Sequence, residues 1–168
     1  GQPFLEEILQ LAEPGQVGDA FGNAVAVSGD TLLVGAPGVG DTIIEPGGVL
    51  GQRALAYVYS KRGGVYRQEA RLTPRVEGPE SRFGRSVALD GETAVVGAPF
   101  ESGGGAVYVV TGGTLTMTAN AVINASGSAG NGGALFSGGT GAGSGGMIKL
   151  YAATLTAVAG ATVLSNGG

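Results

Sequence analysis

Two residue types that carry much of enzyme chemistry are missing from this chain, which has 168 residues but no cysteine and no histidine. Without cysteine there is no disulfide and no thiolate nucleophile, and without histidine there is no imidazole base for a catalytic triad. Zinc sites built from these two residue types are excluded as well. The remaining options are carboxylate chemistry and oxygen-ligated metals such as calcium.

Charge is also scarce, and it is unevenly distributed along the chain. There are 9 basic and 13 acidic residues, and all of them except Lys149 lie in residues 1–110. A protein that binds nucleic acid needs a concentration of basic side chains, which a chain of net charge −4 lacks, so DNA and RNA are not expected partners. No stretch is long and apolar enough to predict a membrane-spanning helix.

Glycine, in contrast, is abundant. The chain has 35 glycines but only 5 tyrosines, 5 phenylalanines and no tryptophan. Alanine, valine and threonine fill most of the space between the glycines, and no long run has the period of a helix. This composition is typical of short strands joined by glycine turns, and it predicts an all-β fold.

One motif occurs twice, as "FGNAVAVSGDTLLVGAP" in residues 21–37 and as "FGRSVALDGETAVVGAP" in residues 83–99, a shift of 62 positions. Each copy reads as a strand, a tight turn and a second strand that ends at proline. The segments "AYVY" (56–59) and "VYVV" (107–110) add a third strand to each copy, and segments such as "YRQEARLT" (66–73) add a fourth. Four antiparallel strands are the content of one propeller blade.

The Phe-Gly pair and the Gly-Ala-Pro trio, present in both copies at the same spacing, resemble the FG-GAP repeat of integrin α-subunit propellers and of secreted bacterial surface proteins. The resemblance covers residues 4–110, with one unit at 4–62 and the other at 66–110. It implies two propeller-type blades, an extracellular or cell-surface location and a role in binding. Many such repeats hold calcium in an aspartate-rich loop, but here "SGDT" and "DGET" are too short for six to eight ligands, so no cofactor is expected.

Residues 111–168 form a second, glycine-rich segment that repeats with a period of 40. Thr114, Leu115 and Thr116 return as the same three residues at 154–156. The pattern resembles the rungs of bacterial right-handed β-helix surface proteins, in which short strands stack from coil to coil. Because uncharged strand edges pair with other chains when exposed, self-association through open edges is expected.

The loops after the two Gly-Ala-Pro trios are the candidate ligand-binding sites, since loops on a rigid β-scaffold commonly carry recognition. The first is 11 residues longer than the second. The charged residues expected at this rim are Asp41, Glu45, Arg53 and Glu101. They are suited to a cation, a basic protein or the hydroxyl groups of a carbohydrate.

The sequence therefore predicts a non-enzymatic extracellular module for binding or adhesion. Two alternatives remain open. In one, identical subunits complete each other to form a ring or filament, because two blades do not close a propeller. In the other, the chain is an accessory region of a carbohydrate-active enzyme.

Overall fold

The computed structural model describes residues 18–38, 43–45, 48–50, 54–74, 81–101, 104–125 and 146–164. Within these ranges the chain forms β-strands and no α-helix, which confirms the all-β prediction. None of the described segments is a helix able to cross a membrane. The first unit expected from the sequence begins at residue 4, and its part before residue 18 lies outside the described residues.

The first sheet is antiparallel and has the order β1-β2-β5-β6. Its strands are β1 (Ala24–Ser28), β2 (Thr31–Ala36), β5 (Leu55–Arg62) and β6 (Val65–Leu72). Two hairpin turns connect neighbouring strands, one at Gly29 and one at Gly63 and Gly64, and all three glycines have positive φ. Glycine adopts this backbone conformation at little steric cost, so the local sequence determines both hairpins.

The second sheet has the order β12-β9-β8-β7 and repeats the first three strands of the first sheet. Its strands are β7 (Ser86–Asp90), β8 (Thr93–Ala98), β9 (Ala106–Thr111) and β12 (Met147–Tyr151). The first three pair antiparallel, but β12 pairs parallel to β9, with Met147 opposite Ala106 and Tyr151 opposite Val110. The second sheet is thus four-stranded, as predicted, but it is not wholly antiparallel.

The fourth strands differ from the sequence-based expectation, which used residues 66–73 as a strand of the second unit. In the structure β6 pairs with β5, from Ala56 opposite Leu72 to Arg62 opposite Val65. The two-glycine turn between them makes this hairpin the shortest available connection. Strand β6 therefore belongs to the second unit by sequence but to the first sheet by pairing.

Beyond the second sheet, two more parallel pairs continue the pattern. They are formed by β10 (Thr114–Met117) with β13 (Thr154–Ala157), and by β11 (Val122–Asn124) with β14 (Thr162–Leu164). Thr114 lies opposite Thr154, and Val122 lies opposite Thr162. Residues 40 positions apart in the sequence are therefore neighbours in space, as two stacked turns of chain require.

The long loop after the first Gly-Ala-Pro trio contains a small hairpin. Its strands are β3 (Ile43–Glu45) and β4 (Gly48–Leu50), which pair antiparallel with Ile43 opposite Leu50. The loop is thus built partly on regular backbone pairing. Regular strands at this place are suited to presenting a surface.

The two sheets share one hydrophobic core. It includes Leu33 and Ala56 of the first sheet together with Phe83, Val96 and Tyr108, each no more than 1% exposed. Strands β1 and β7 lie side by side. Two hydrogen bonds add to the contact between repeats, because Asn23 Nδ2 donates to the Arg85 carbonyl at 3.1 Å and the Gly91 amide donates to Ser28 Oγ at 2.9 Å.

Candidate functional site

A network of three polar side chains is buried where the glycine-rich segment meets the second sheet. Tyr108 lies on β9, Lys149 lies on β12, and Glu101 follows the second Gly-Ala-Pro trio. The Tyr108 hydroxyl donates to Glu101 Oε2 at 2.6 Å, and Lys149 Nζ donates to Glu101 Oε1 and, at 2.9 Å, to the Tyr108 hydroxyl oxygen. Each member thus contacts both of the others.

The electrostatics of this network are those of a buried ion pair. The side chain of Glu101 is 1% exposed and that of Lys149 is 15% exposed. Burial and the hydrogen bond to Glu101 raise the pKa of Tyr108 above its usual value. Burial alone would lower the pKa of Lys149, but its hydrogen bonds to Glu101 and Tyr108 outweigh burial and raise it. Lys149 is therefore held as a cation and Tyr108 as a neutral phenol.

Aromatic rings surround the same network. The Phe83 and Tyr108 rings meet edge to face with centroids 4.8 Å apart, and the Tyr151 ring stacks on Tyr108 at 6.1 Å. Lys149 Nζ also lies 4.7 Å from the Tyr108 ring centroid. These contacts join β12 to the second sheet through packing as well as charge.

The post-Pro99 loop presents an aromatic side chain to solvent. Phe100 is 58% exposed, and the guanidinium of Arg82 lies 5.4 Å from its ring centroid. The backbone beneath this pair is fixed, because the Phe100 amide donates to the Ser81 carbonyl at 3.3 Å. The Arg82–Phe100 pair is thus a small apolar and cationic surface on a fixed backbone.

A cleft of about 650 Å³ lies beside the same loop. Its walls include Gly97, Ala98 and Pro99 of the second trio, together with Ala106 and Val107 of β9. Further lining comes from Arg85, Ser86, Gly104, Gly105, Ala125, Gly146 and Met147. The cleft is therefore lined mainly by small or apolar residues, and Arg85 is the only charged residue among its described lining residues.

The residues expected at the rim have different positions. Asp41 and Arg53 lie outside the described residues, and Glu45 ends β3 but its side chain is not among those described. Glu101 is described, and its carboxylate points inward to Tyr108 and Lys149 instead of to solvent. Of the four, only Glu101 has a described side chain, and it does not lie at the rim; a rim formed by the other three stays a prediction.

Three of the residues described above were not expected from the sequence to belong to a site. Lys149 could have been suspected, because one charge in an uncharged strand needs a partner if the strand is buried. Arg82 and Phe100 replace Ala20 and Gly38 of the first repeat. Aligning the two copies and asking where a small residue becomes a large one would have selected both.

Comparison with known families gives a match to the FG-GAP repeat over residues 10–59 and 66–110, which together make up more than half of the sequence. The chain belongs to the FG-GAP repeat family. Repeats of this family are typically extracellular and often serve in adhesion or binding. A search of curated proteins found no significant match.

Proposed function

We propose that this FG-GAP chain is a non-enzymatic extracellular module that binds a protein ligand through the loops after its Gly-Ala-Pro trios. The observation that carries the proposal is the Arg82–Phe100 pair in the second repeat, in which the half-buried Arg82 lies over the exposed Phe100 ring. Arginine and large aromatic side chains are the types that most often dominate binding energy at protein interfaces. The first loop, with Asp41, Glu45 and Arg53, would supply the charged part of the same recognition surface.

Comparison of the two repeats supports a role for this pair beyond the scaffold. In the first repeat the Gly38 amide donates to the Asp19 carbonyl at 3.0 Å, which is the equivalent of the bond from Phe100 to Ser81. Ala20 and Arg82 both have positive φ, 53° and 48°. The equivalent hydrogen bond therefore forms with alanine and glycine at these positions, although Gly38 adopts a positive φ of 67° and Phe100 does not. The large side chains of the second repeat are not needed to build it.

The glycine-rich segment would act as a support in this proposal. Its parallel pairs extend the second sheet from β9 to β12 and continue through β10 and β13. We infer that this segment is a β-helix-like stack of the kind found in bacterial surface proteins, which holds the binding loops away from the surface to which the protein is attached. This inference rests on the 40-residue repeat and its parallel pairing.

A double substitution taken from the chain itself tests the binding site. Arg82→Ala with Phe100→Gly gives the second repeat the residues of the first, so the fold is expected to remain. The labelled chain would be applied to a panel of purified extracellular-matrix proteins and to a glycan array. We expect binding to a matrix protein, reduced at least about tenfold by the double substitution, as is typical of an aromatic and arginine hot spot.

The control is Val65→Ala, which removes an exposed apolar side chain, 47% exposed, from β6. It should bind like the unaltered chain. Equal binding by the double variant and the unaltered chain, or binding to none of the matrix proteins, would contradict the proposal. Binding only to glycans would instead favour a carbohydrate ligand at the same loops.

A further inference from the structure

The backbones of the two repeats approach each other very closely at two glycines. A Cβ atom placed on Gly35 would lie 1.9 Å from the Gly84 carbonyl oxygen, and one placed on Gly84 would lie 2.3 Å from the Leu55 carbonyl oxygen. The Phe-Gly turn of the second repeat thus sits directly against the Gly-Ala-Pro strand of the first. Only glycine permits so close an approach.

Strand β7, which follows this turn, adds side-chain contacts between the two repeats. Val87 and Leu89 pack against the core that contains Leu33 and Ala56 of the first sheet, and both of those residues are 0% exposed. The second repeat therefore covers one face of the first sheet with a turn and two apolar side chains. We call this covering surface, formed by a Phe-Gly turn and the strand after it, the head, and the covered face the seat.

The second sheet has an equivalent seat, and in the part of the chain that the structure describes no Phe-Gly turn covers it. Gly97, Ala98 and Ala106 correspond to Gly35, Ala36 and Leu55, as the matching strand pairs show, and all three line the cleft of about 650 Å³. Val107 corresponds to Ala56 but is 41% exposed, whereas Ala56 is 0% exposed. A second hollow of about 160 Å³ follows the same face. A Cβ atom placed on Gly97 would meet the Ser86 side chain, with Oγ 2.3 Å away, so a rotatable side chain stands where the first repeat has the backbone of the Phe-Gly turn.

The first repeat has an equivalent head that covers no sheet face among the described residues. Gly22 corresponds to Gly84, yet a Cβ atom placed on Gly22 would meet no atom within 4 Å. Val25 and Val27 correspond to Val87 and Leu89, and they are 57% and 62% exposed. Exposed valines at neighbouring same-face positions of a strand form an apolar surface that water solvates poorly.

We propose that the head of one copy of this chain, formed by Gly22, Val25 and Val27, binds the open seat of a second copy at Gly97 and Val107. The contact would repeat the one that already joins the two repeats within a chain. Head and seat are different surfaces, so binding leaves one of each free and a third copy can add. The partner is a second copy because its head has the same glycine turn and apolar strand that fit the first seat.

This inference does not depend on the proposed ligand, because it uses none of the residues of the Arg82–Phe100 pair. Two substitutions separate the surfaces. Val25→Asp blocks the head and Val107→Asp blocks the seat, and both side chains are exposed in the single chain. Val65→Asp, at another exposed strand position, is the matched control. Circular dichroism and thermal unfolding would show that each variant is folded, with Val27→Asp and Val107→Lys as replacements if one is not.

The measurement is sedimentation velocity on the full chain from about 1 to about 200 μM, a range that includes the affinities of weak interfaces. We expect the unaltered chain and Val65→Asp to form species larger than a dimer as concentration rises. Val25→Asp and Val107→Asp alone should each stay at the monomer mass of 16.3 kDa. Mixed in equal amounts, they should form a dimer and nothing larger, since only one head and one seat remain intact.

Three results would overturn the proposal. A monomer at every concentration would mean that a second copy does not occupy the seat. A dimer that never grows, in the unaltered chain, would indicate a symmetric contact between identical surfaces. Association that persists in both Asp variants would place the interface elsewhere, for example on the open edges of β13 and β14. If matrix-protein binding survives in any of these cases, the proposed function stands without this inference.

Discussion

The two FG-GAP sheets share three strands and differ in the fourth. In the first sheet, β6 arrives through a two-glycine turn and pairs antiparallel with β5. In the second, β12 comes from about 40 residues further along the chain and pairs parallel with β9. The same three-strand unit therefore accepts a fourth strand of either direction. A Gly-Gly pair follows the third strand in both sheets, at 63–64 and at 112–113, but only the first pair has positive φ and forms the hairpin turn.

The fourth strands are also held by different kinds of ion pair. On β6, the Glu69 carboxylate accepts from Arg62 at 2.9 Å and from Ser60 Oγ at 2.6 Å. The Arg62 side chain is 70% exposed and that of Glu69 is 37% exposed. On β12, Lys149 is buried against Glu101. A hairpin strand needs little beyond its turn to find its place. A strand from a distant part of the chain is helped by a specific partner, and a buried charge provides one because it is unstable anywhere else.

The largest expected effect is the loss of this buried partner. Lys149→Met leaves the Glu101 carboxylate buried without its cation, and we expect the free energy of unfolding to fall by about 3–5 kcal/mol. Arg62→Met breaks the exposed pair of the first sheet and should cost less than about 1 kcal/mol. Urea unfolding of both variants measures the difference. Equal effects would mean that the two fourth strands are held in the same way.

The second prediction compares two glycines of the same backbone conformation. Gly22 and Gly84 have φ values of +88° and +89°, but only Gly84 lies against the other repeat. Gly22→Ala should cost about 1 kcal/mol from backbone strain alone. Gly84→Ala adds a clash with Leu55 and should cost about 3 kcal/mol. Thermal unfolding of both variants tests this, and a similar loss in each would contradict the close contact between repeats.

The third prediction concerns alkaline pH. The pKa values of Tyr108 and Lys149 are both raised by folding, so the folded state holds these protons more tightly than the unfolded state does. The stability that they contribute is complete below their ordinary values of 10.0 and 10.5 and is lost as pH rises through the higher folded values. Unfolding free energies measured from neutral pH to above pH 10 should therefore fall more steeply for the unaltered chain than for Lys149→Met. Parallel curves would contradict the network.

The smallest effect is expected from the pair proposed to bind ligand. Arg82→Ala with Phe100→Gly should change the unfolding free energy by no more than about 0.5 kcal/mol, because the first repeat forms the equivalent backbone hydrogen bond with those residues. Chemical denaturation gives the value. A loss of several kcal/mol would assign the pair to the scaffold of the second repeat instead of to recognition.

Much of this fold was predictable because its determinants are local or repetitive. The turns at Gly29 and Gly91 fix the two hairpins of the FG-GAP motif, and the 40-residue period of the sequence is also the separation of Thr114 from its strand partner Thr154. The direction of the fourth strand was not predictable. Pairing across about 40 residues depends on which strand edge is free and on whether a buried partner is present, and neither is written in a local pattern.

The candidate site was less accessible to sequence reasoning for a related reason. Glu101 was expected at the surface because it follows a loop signal, but a single turn of backbone carries its carboxylate inward to Lys149. Phe100, one residue earlier, is the exposed side chain. Which of two neighbouring residues faces solvent is set by φ and ψ at the turn, and the sequence alone shows only that both are there.

Cysteine cross-linking tests the parallel fourth strand of the second sheet most directly, since the chain has no cysteine of its own. In the parallel register Met147 lies opposite Ala106 and Lys149 lies opposite Tyr108. If β12 ran antiparallel with Lys149 still opposite Tyr108, Met147 would lie opposite Val110. Under mild oxidation, we expect Ala106→Cys with Met147→Cys to form a disulfide within one chain and Val110→Cys with Met147→Cys to remain reduced. A disulfide in the second variant and none in the first would show that β12 does not complete the sheet in this way.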